Sequence, residues 1–241
     1  MSGHSKWASI KYKKTITDQR RGRSFSKLVR AITVAAKKGG ADPEANFNLR
    51  LACEKAKEAN MPQETIKKAI DKAAGVDAAD VFEETYEGLI PTRGGQGIGL
   101  IIRVLTDNKN RTLSEIKHVL ERNSGKLAQK GAISYLFDQR GVVTIDNVEN
   151  KKEEIELLAI DLGALDIKEE DDKLIIYTKP EKLNKIIAGL RDKEVDVSFF
   201  ELASVAKTPL EIDSKEREKV KEVISVLSEI EDIEEIFTNL K

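Results

Sequence analysis

Eleven cationic side chains stand in the first forty residues: Lys6, Lys11, Lys13, Lys14, Arg20, Arg21, Arg23, Lys27, Arg30, Lys37 and Lys38, against the single acid Asp18. Trp7, Tyr12 and Phe25 are interleaved with them. These are the residues whose types and spacing can do chemistry, and that chemistry is non-covalent. Ammonium and guanidinium groups neutralise phosphates and release condensed counterions. The flat faces of Trp7 and Tyr12 can hold unstacked bases, at roughly 1–3 kcal/mol per base. The segment has a net charge of +10 in a chain of net charge −1, so the remaining 201 residues sum to −11. A charge distribution of this kind docks one end of a protein on a polyanion while the whole stays near neutrality. His4 lies two residues before Lys6 and reads either as a phosphate or base contact or as a solvated loop histidine.

Residue sets able to make and break bonds are scarce. His4 and His118 are the only histidines and fall in different proposed domains, which argues against a histidine-based triad. Cys53 is the only cysteine; helical spacing between Leu49 and Ala56 makes it a small buried hydrophobe, and a thiolate metal cage is excluded. The run Gly94-Gly-Gln-Gly-Ile-Gly99 lies between two expected strands. Nucleotide loops need a strand before and a helix after, so this run is a hairpin connection. Glu83 and Glu84 alternate on a strand and so face opposite sides. The acidic tail reads as a solvated helix face and surface segment. Lys109 and Arg111, in Thr106-Asp-Asn-Lys-Asn-Arg-Thr112, are secondary candidates beside a helix start able to receive a phosphate. The expectation is a protein without catalytic residue, metal, cofactor or small-molecule substrate.

The elements that must position these groups can be read from periodicity. Phe25, Leu28, Val29, Ile32, Ala35 and Ala36 recur at three and four residues, and Gly39-Gly40 stops the helix. Lys27, Arg30, Lys37 and Lys38 lie off that apolar face, which predicts that they point outward to a ligand. Asp42-Pro43 is the expected cap and first position of a second helix through Leu49, Ala52, Cys53, Ala56 and Ala59. Pro62 opens a third, with Ile66, Ala69, Ile70 and Ala73 inward. Beyond Asp80 the pattern turns to strands at 81–87, 98–105 and 132–138, with Thr112-Leu-Ser-Glu115 as a capping box ahead of a helix. Residues 142–202 spell strand, helix, strand, strand, helix, strand, the ferredoxin-like plan. The tail predicts a strand near 209–212, a helix carrying Val220, Val223, Ile224, Leu227 and Ile230, and a strand near 233–237.

The fold class is therefore α+β: an N-terminal three-helix domain (1–76) followed by two α+β domains, one (139–206) inserted in the other (80–138 plus 207–241). No apolar run approaches the roughly 18 residues that span a bilayer, and the opening lacks the apolar segment of an export signal, so a cytoplasmic address is expected.

Long strings of the chain resemble the YebC family of bacterial gene-expression regulators, whose mitochondrial members act as translational activators. They are GHSKWASIKYKK at 3–14, KKGGADPEANFNLRLACEKAKEANMP at 37–62, YEG at 86–88, LTDNKNRTLSEIKHVLERNSGKL at 105–127 and GAISYLFDQRG at 131–141. The resemblance implies the same three domains and no catalytic residue. It also implies that Lys6, Trp7, Lys11, Lys13 and Lys14, on the family's opening motif, belong to a nucleic-acid surface. Family members are described as DNA-binding transcription regulators, and others look like ribosome-associated factors that help translation through sequences such as proline runs. The expected partner is nucleic acid, DNA or ribosomal RNA, with the ribosome as its setting in the second case. A recognition helix with a polar base-reading face is not legible, which tilts the chemistry towards RNA or nonspecific contacts. The chain departs from the family in a longer 89–97 stretch, in Gln63 where lysine is common and in Phe47 where proline is common.

Overall fold

The computed structural model describes residues 19–74, 81–146, 148, 151–170 and 172–241, with backbone alone for 19–24, 58 and 74. The chain divides into two compact units. One comprises Ser134–Leu210 and Phe237–Lys241; the other holds the described residues up to Ile133 together with Glu211–Ile236.

The second of these begins with three helices. Helix α1 (Gln19–Gly39) puts Ile32, Ala35 and Ala36 into a core shared with Leu49, Ala52, Cys53 and Ala56 of α2 (Phe47–Glu58) and Ile66, Ala69 and Ala73 of α3 (Gln63–Ala74). Gly40, at φ +92°, leaves the right-handed path that any side chain would favour. The cap of α2 is Asn46, not Asp42-Pro43 as the sequence predicts. Asp42 instead accepts from the Glu44 N–H, while the Asn46 side-chain oxygen accepts from the Leu49 N–H at 3.2 Å. Asn46 wins because its amide also donates to the carbonyls of Ala35 (2.8 Å) and Gly40 (2.7 Å), so one buried side chain closes two helix ends. Phe47 and Gln63 are the first residues of their helices.

The first sheet is built on a hairpin. Strands β1 (Phe82–Pro91) and β2 (Gly97–Thr106) pair antiparallel from Phe82↔Thr106 to Pro91↔Gly97. The glycine run supplies the turn, with Gly95 at φ +78°. Helix α4 (Lys109–Arg122) leads to the short β3 (Lys126–Ala128), and at the far end of the chain α7 (Ser214–Ser228) precedes β8 (Ile233–Thr238). The strand order is β3-β1-β2-β8.

Three expectations fail in this region. The helix α4 starts before Thr112: Asn108 is its cap, accepting from the Arg111 N–H at 3.1 Å, and Thr112 is fully buried inside the first turns. Of the strand predicted at 132–138 only Phe137 and Asp138 are extended, as the start of the next strand. Buried Glu87 accepts the N–H groups of Gly131 (2.7 Å) and Ile133 (2.5 Å), replacing a strand partner by a side chain, and a 3-10 turn follows at Ser134–Leu136. The tail strand near 209–212 reduces to one bridge, Leu210↔Leu240.

The other unit contains β4 (Phe137–Asp146), α5 (Lys152–Leu162), β5 (Asp166–Glu170), β6 (Lys173–Thr178), α6 (Leu183–Asp192) and β7 (Phe199–Ala206), all strands antiparallel in the order β5-β6-β4-β7. This is the ferredoxin-like plan expected from residues 142–202, with the opening strand extended back to Phe137. A Cβ on Gly141 would lie 2.7 Å from the Thr178 methyl and 3.0 Å from the Leu183 Cβ, which is how closely the start of α6 approaches the strands. The molecule is thus α+β, a helical region followed by two four-stranded sheets among the described residues.

Candidate nucleic-acid interface

The basic segment divides into three parts. His4, Lys6, Trp7, Lys11, Tyr12, Lys13 and Lys14 lie outside the described residues. Arg20, Arg21 and Arg23 lie on α1, where the backbone alone is described. The rest can be placed atom by atom.

Lys27, Arg30, Val34 and Lys38 follow each other at intervals of three and four, so they form one face of α1 opposite its apolar core face. The sequence predicts an outward face; the structure turns it towards carboxylates. The Lys27 ammonium donates to the Ile233 carbonyl at 2.5 Å. The Arg30 guanidinium donates to Asp232 (2.8 Å) and Glu231 (3.2 Å), and Lys38 to Glu83 (2.5 Å). Val34, in the middle of the stripe, is buried. Helix α1 is therefore packed on two sides, because the end of one strand and the approach to another present acids at the spacing of its cations. Lys37, between the two faces, is exposed.

Asp232 is the centre of this seam, 3 % exposed. Besides Arg30 it accepts hydrogen bonds from the hydroxyls of Thr106 (3.0 Å) and Thr112 (2.6 Å) and from the Arg111 guanidinium (2.8 Å). Burial alone would raise its pKa, but the hydrogen bonds from Thr112, Arg111 and Thr106 outweigh burial and hold the carboxyl below the ordinary carboxylate value. Glu235 is also buried, paired with Arg103 at 2.8 Å and with Lys55 at 3.7 Å. The acidic tail is thus in part an interior feature, contrary to the solvated surface that its charge run predicts. A carboxylate needs this number of donors to stay ionised where water is excluded.

The secondary candidates are engaged in the same way. Arg111 spans Asp107 (2.7 Å) and Asp232. Lys109 pairs with Glu84 and stands 4.5 Å from the centroid of the Phe82 ring. The helix start beside them is already capped by Asn108, so the expected phosphate-receiving position is taken by the chain's own side chains.

Four other cations answer the description better. Lys57 on α2 and Lys67, Lys68 and Lys72 on α3 are exposed and form no ion pair among the described residues. The sequence reading passes over them, although the signal is available: Lys68 and Lys72 are one turn apart on the side of α3 opposite Ile66, Ala69 and Ala73. The Asp232 seam had no such signal, because its members are separated by 120 or more residues.

Other chemistry is sparse. Cys53 is buried in the helical core; burial foremost, with Glu54 adding, pushes its thiol pKa up against the opposing Lys57, which disfavours a reactive thiolate. Among the described residues no group of three or more His, Cys, Asp or Glu side chains could hold a metal ion, and no helix is long and apolar enough to cross a membrane.

Comparison with known proteins gives a consistent picture. Residues 5–76 match the model of the TACO1/YebC protein N-terminal domain, and residues 81–240 match that of the TACO1/YebC second and third domain. The chain is 41 % identical over 242 residues to a probable transcriptional regulatory protein of Desulforamulus reducens, covering 99 % of this chain and 98 % of the relative. It is 41 % identical over 244 residues to the probable transcriptional regulatory protein YrbC of Bacillus subtilis, covering all of both. The crystal structure of the conserved hypothetical protein Aq1575 from Aquifex aeolicus superposes with a TM-score of 0.86 at 36 % identity, over 98 % of this chain and 97 % of that one.

Proposed function

The chain belongs to the TACO1/YebC family of probable transcriptional regulatory proteins, and from this premise we propose that it is a non-enzymatic, nucleic-acid-binding regulator of gene expression acting in the cytoplasm. The observation that carries the reading is the concentration of positive charge at one end: net +10 over forty residues of a chain whose total is −1, continued by the exposed lysines of α2 and α3. Phosphate is the ligand chemistry that this composition fits, and Trp7 and Tyr12 add ring faces for bases. Lys6, Lys11, Lys13, Lys14, Arg20, Arg21, Arg23 and Lys37 are the proposed contacts, joined by Lys57, Lys67, Lys68 and Lys72.

Between the two nucleic acids, one feature favours RNA. The exposed side of α3 offers Lys67, Lys68 and Lys72, which contact phosphate by charge, beside the acids Glu64 and Asp71, and beyond Gln63 at its first position it carries no Asn, Gln or Arg able to read a base edge in a bidentate manner. That supports a second reading, a translation factor on ribosomal RNA, beside the DNA-binding regulator that the relatives' names suggest.

The test is a titration of a 20-nucleotide oligouridylate and of a duplex DNA of the same length across a series of salt concentrations. Affinity should fall linearly on logarithmic axes, and Lys11→Ala/Lys13→Ala/Lys14→Ala should make the slope shallower by about 2, at roughly 0.7 per phosphate on a single strand. Binding that is insensitive to salt, or a slope unaffected by the triple substitution, would refute the phosphate reading. Crosslinking in cells then separates the two settings: ribosomal RNA fragments favour the translation factor, and discrete promoter fragments favour the transcription regulator.

A further inference from the structure

Three of the cations that the sequence offers to a ligand are held by the protein itself, and two of their partners are only loosely committed. Glu231 is 55 % exposed and Glu83, which also stands 3.7 Å from Arg103, 37 %, whereas Asp232 is enclosed. Arg30 spreads its guanidinium across two separate carboxylates, the forked arrangement that also fits a phosphate. Lys38 retains more than half of its exposure while touching Glu83, so an incoming anion can reach it without any rearrangement. Lys27 is fastened differently, to a backbone carbonyl.

We propose that Glu83 and Glu231 act as internal stand-ins for phosphate, occupying Lys38 and Arg30 on a latent nucleic-acid face of α1 until a polyanion competes for it. The inference rests on the nucleic-acid reading above and adds regulation to it. Replacing a carboxylate by a phosphodiester exchanges one anion for another at Lys38 and Arg30, and Arg103, which Glu83 also approaches, keeps Glu235 as its partner. Counterion release from the nucleic acid supplies the drive, and raised salt opposes it. Asp232, satisfied by Thr106, Thr112 and Arg111, stays in place and keeps the helix docked while the outer pairs exchange. The latch thus separates two tasks within one seam: an enclosed carboxylate that fixes α1, and two accessible ones that screen its cations. A dense array of phosphates displaces the screen; an isolated anion at physiological salt does not.

The experiment compares the full chain with Glu83→Gln/Glu231→Gln, using a fluorescein-labelled 20-nucleotide oligouridylate in a salt series. The variant should bind severalfold more tightly across the salt series, with a slope close to that of the wild type, because both end with the same two phosphate contacts and the variant has no carboxylate to displace. Adding Arg30→Ala/Lys38→Ala should abolish the gain and make the slope shallower by about 1.4. Glu153→Gln/Glu154→Gln on α5, which removes the same charge from the other unit, should not reproduce the gain. Each single substitution, Glu83→Gln or Glu231→Gln, should give about half of the effect, which keeps the test sound if the double variant unfolds. Salt-dependent wild-type binding that Glu83→Gln/Glu231→Gln does not tighten overturns the latch alone. So does a gain that survives Arg30→Ala/Lys38→Ala or is matched by the α5 control. Absence of salt-dependent binding by every variant overturns the latch and the nucleic-acid reading together.

Discussion

Helices α1 and α3 belong to the same small core and carry the same kind of side chain on the side away from it, yet their cations do different things. Lys27, Arg30 and Lys38 meet Ile233, Asp232, Glu231 and Glu83, while Lys67, Lys68 and Lys72 meet solvent. The amino acids and their helical spacing do not distinguish the two sets. What stands opposite does: β1 and the approach to β8 bring acids to α1, and no described acid pairs with the α3 lysines. A lysine on a helix face is a ligand contact or a structural tie according to its neighbour.

The sharpest way to break the contrast is to remove the centre of the α1 seam. Asp232→Ala takes one acceptor from two guanidinium groups, which keep Glu231 and Asp107, and from two buried hydroxyls, and should cost about 2–3 kcal/mol of unfolding free energy, measured by urea titration at pH 7. A loss below about 1 kcal/mol would show that α1 is held by its apolar core alone. Next in size, Asn46→Ala removes the α2 cap and the two bonds to the end of α1, for a cost of about 1–2 kcal/mol in the same titration.

The pH dependence follows from the depressed Asp232 pKa. The unfolded chain takes up this proton at the ordinary carboxylate value, about 4, and the folded chain only below it. The contribution is therefore complete above about pH 5 and is lost as the pH falls through the native value. Thermal unfolding followed from pH 7 to pH 2.5 should show the decline, and Asp232→Asn should flatten it. An identical decline in the variant would assign the acid sensitivity to other carboxylates.

On the α3 side the effect on folding should vanish. Lys67→Ala/Lys68→Ala/Lys72→Ala should leave the unfolding midpoint in place while making the oligouridylate salt slope shallower by as much as about 2. Loss of stability without a change in slope would reverse the roles assigned to the two helices.

Much of the fold is legible in the sequence wherever one period governs a whole element. The apolar face of α1, the β1–β2 hairpin around the glycine run, β6 and the stripe Leu183, Ile186, Ile187 and Leu190 of α6 are all written in local spacing. The misreadings share one cause, a side chain bonded to backbone or to a distant partner in place of the expected local pattern. Asn46 took the capping role from Asp42 because it also closed α1. Thr112, a plausible cap by spacing, is drawn into the helix by Asp232. The run at 132–138 alternates like a strand, but Glu87 takes the amides of Gly131 and Ile133 at its start. The candidate interface is legible only as charge. That the first forty residues favour a polyanion needs no coordinates; that Lys38 has a carboxylate partner and Lys68 has none among the described residues does.

The sequence by itself determined the charge separation, the helical and strand periods and the scarcity of catalytic groups, because composition and spacing are local properties that survive in any conformation. Only the tertiary structure decided which cations stay available, because an ion pair depends on the few ångströms between groups that the chain holds up to 202 residues apart, and those few ångströms are set by packing.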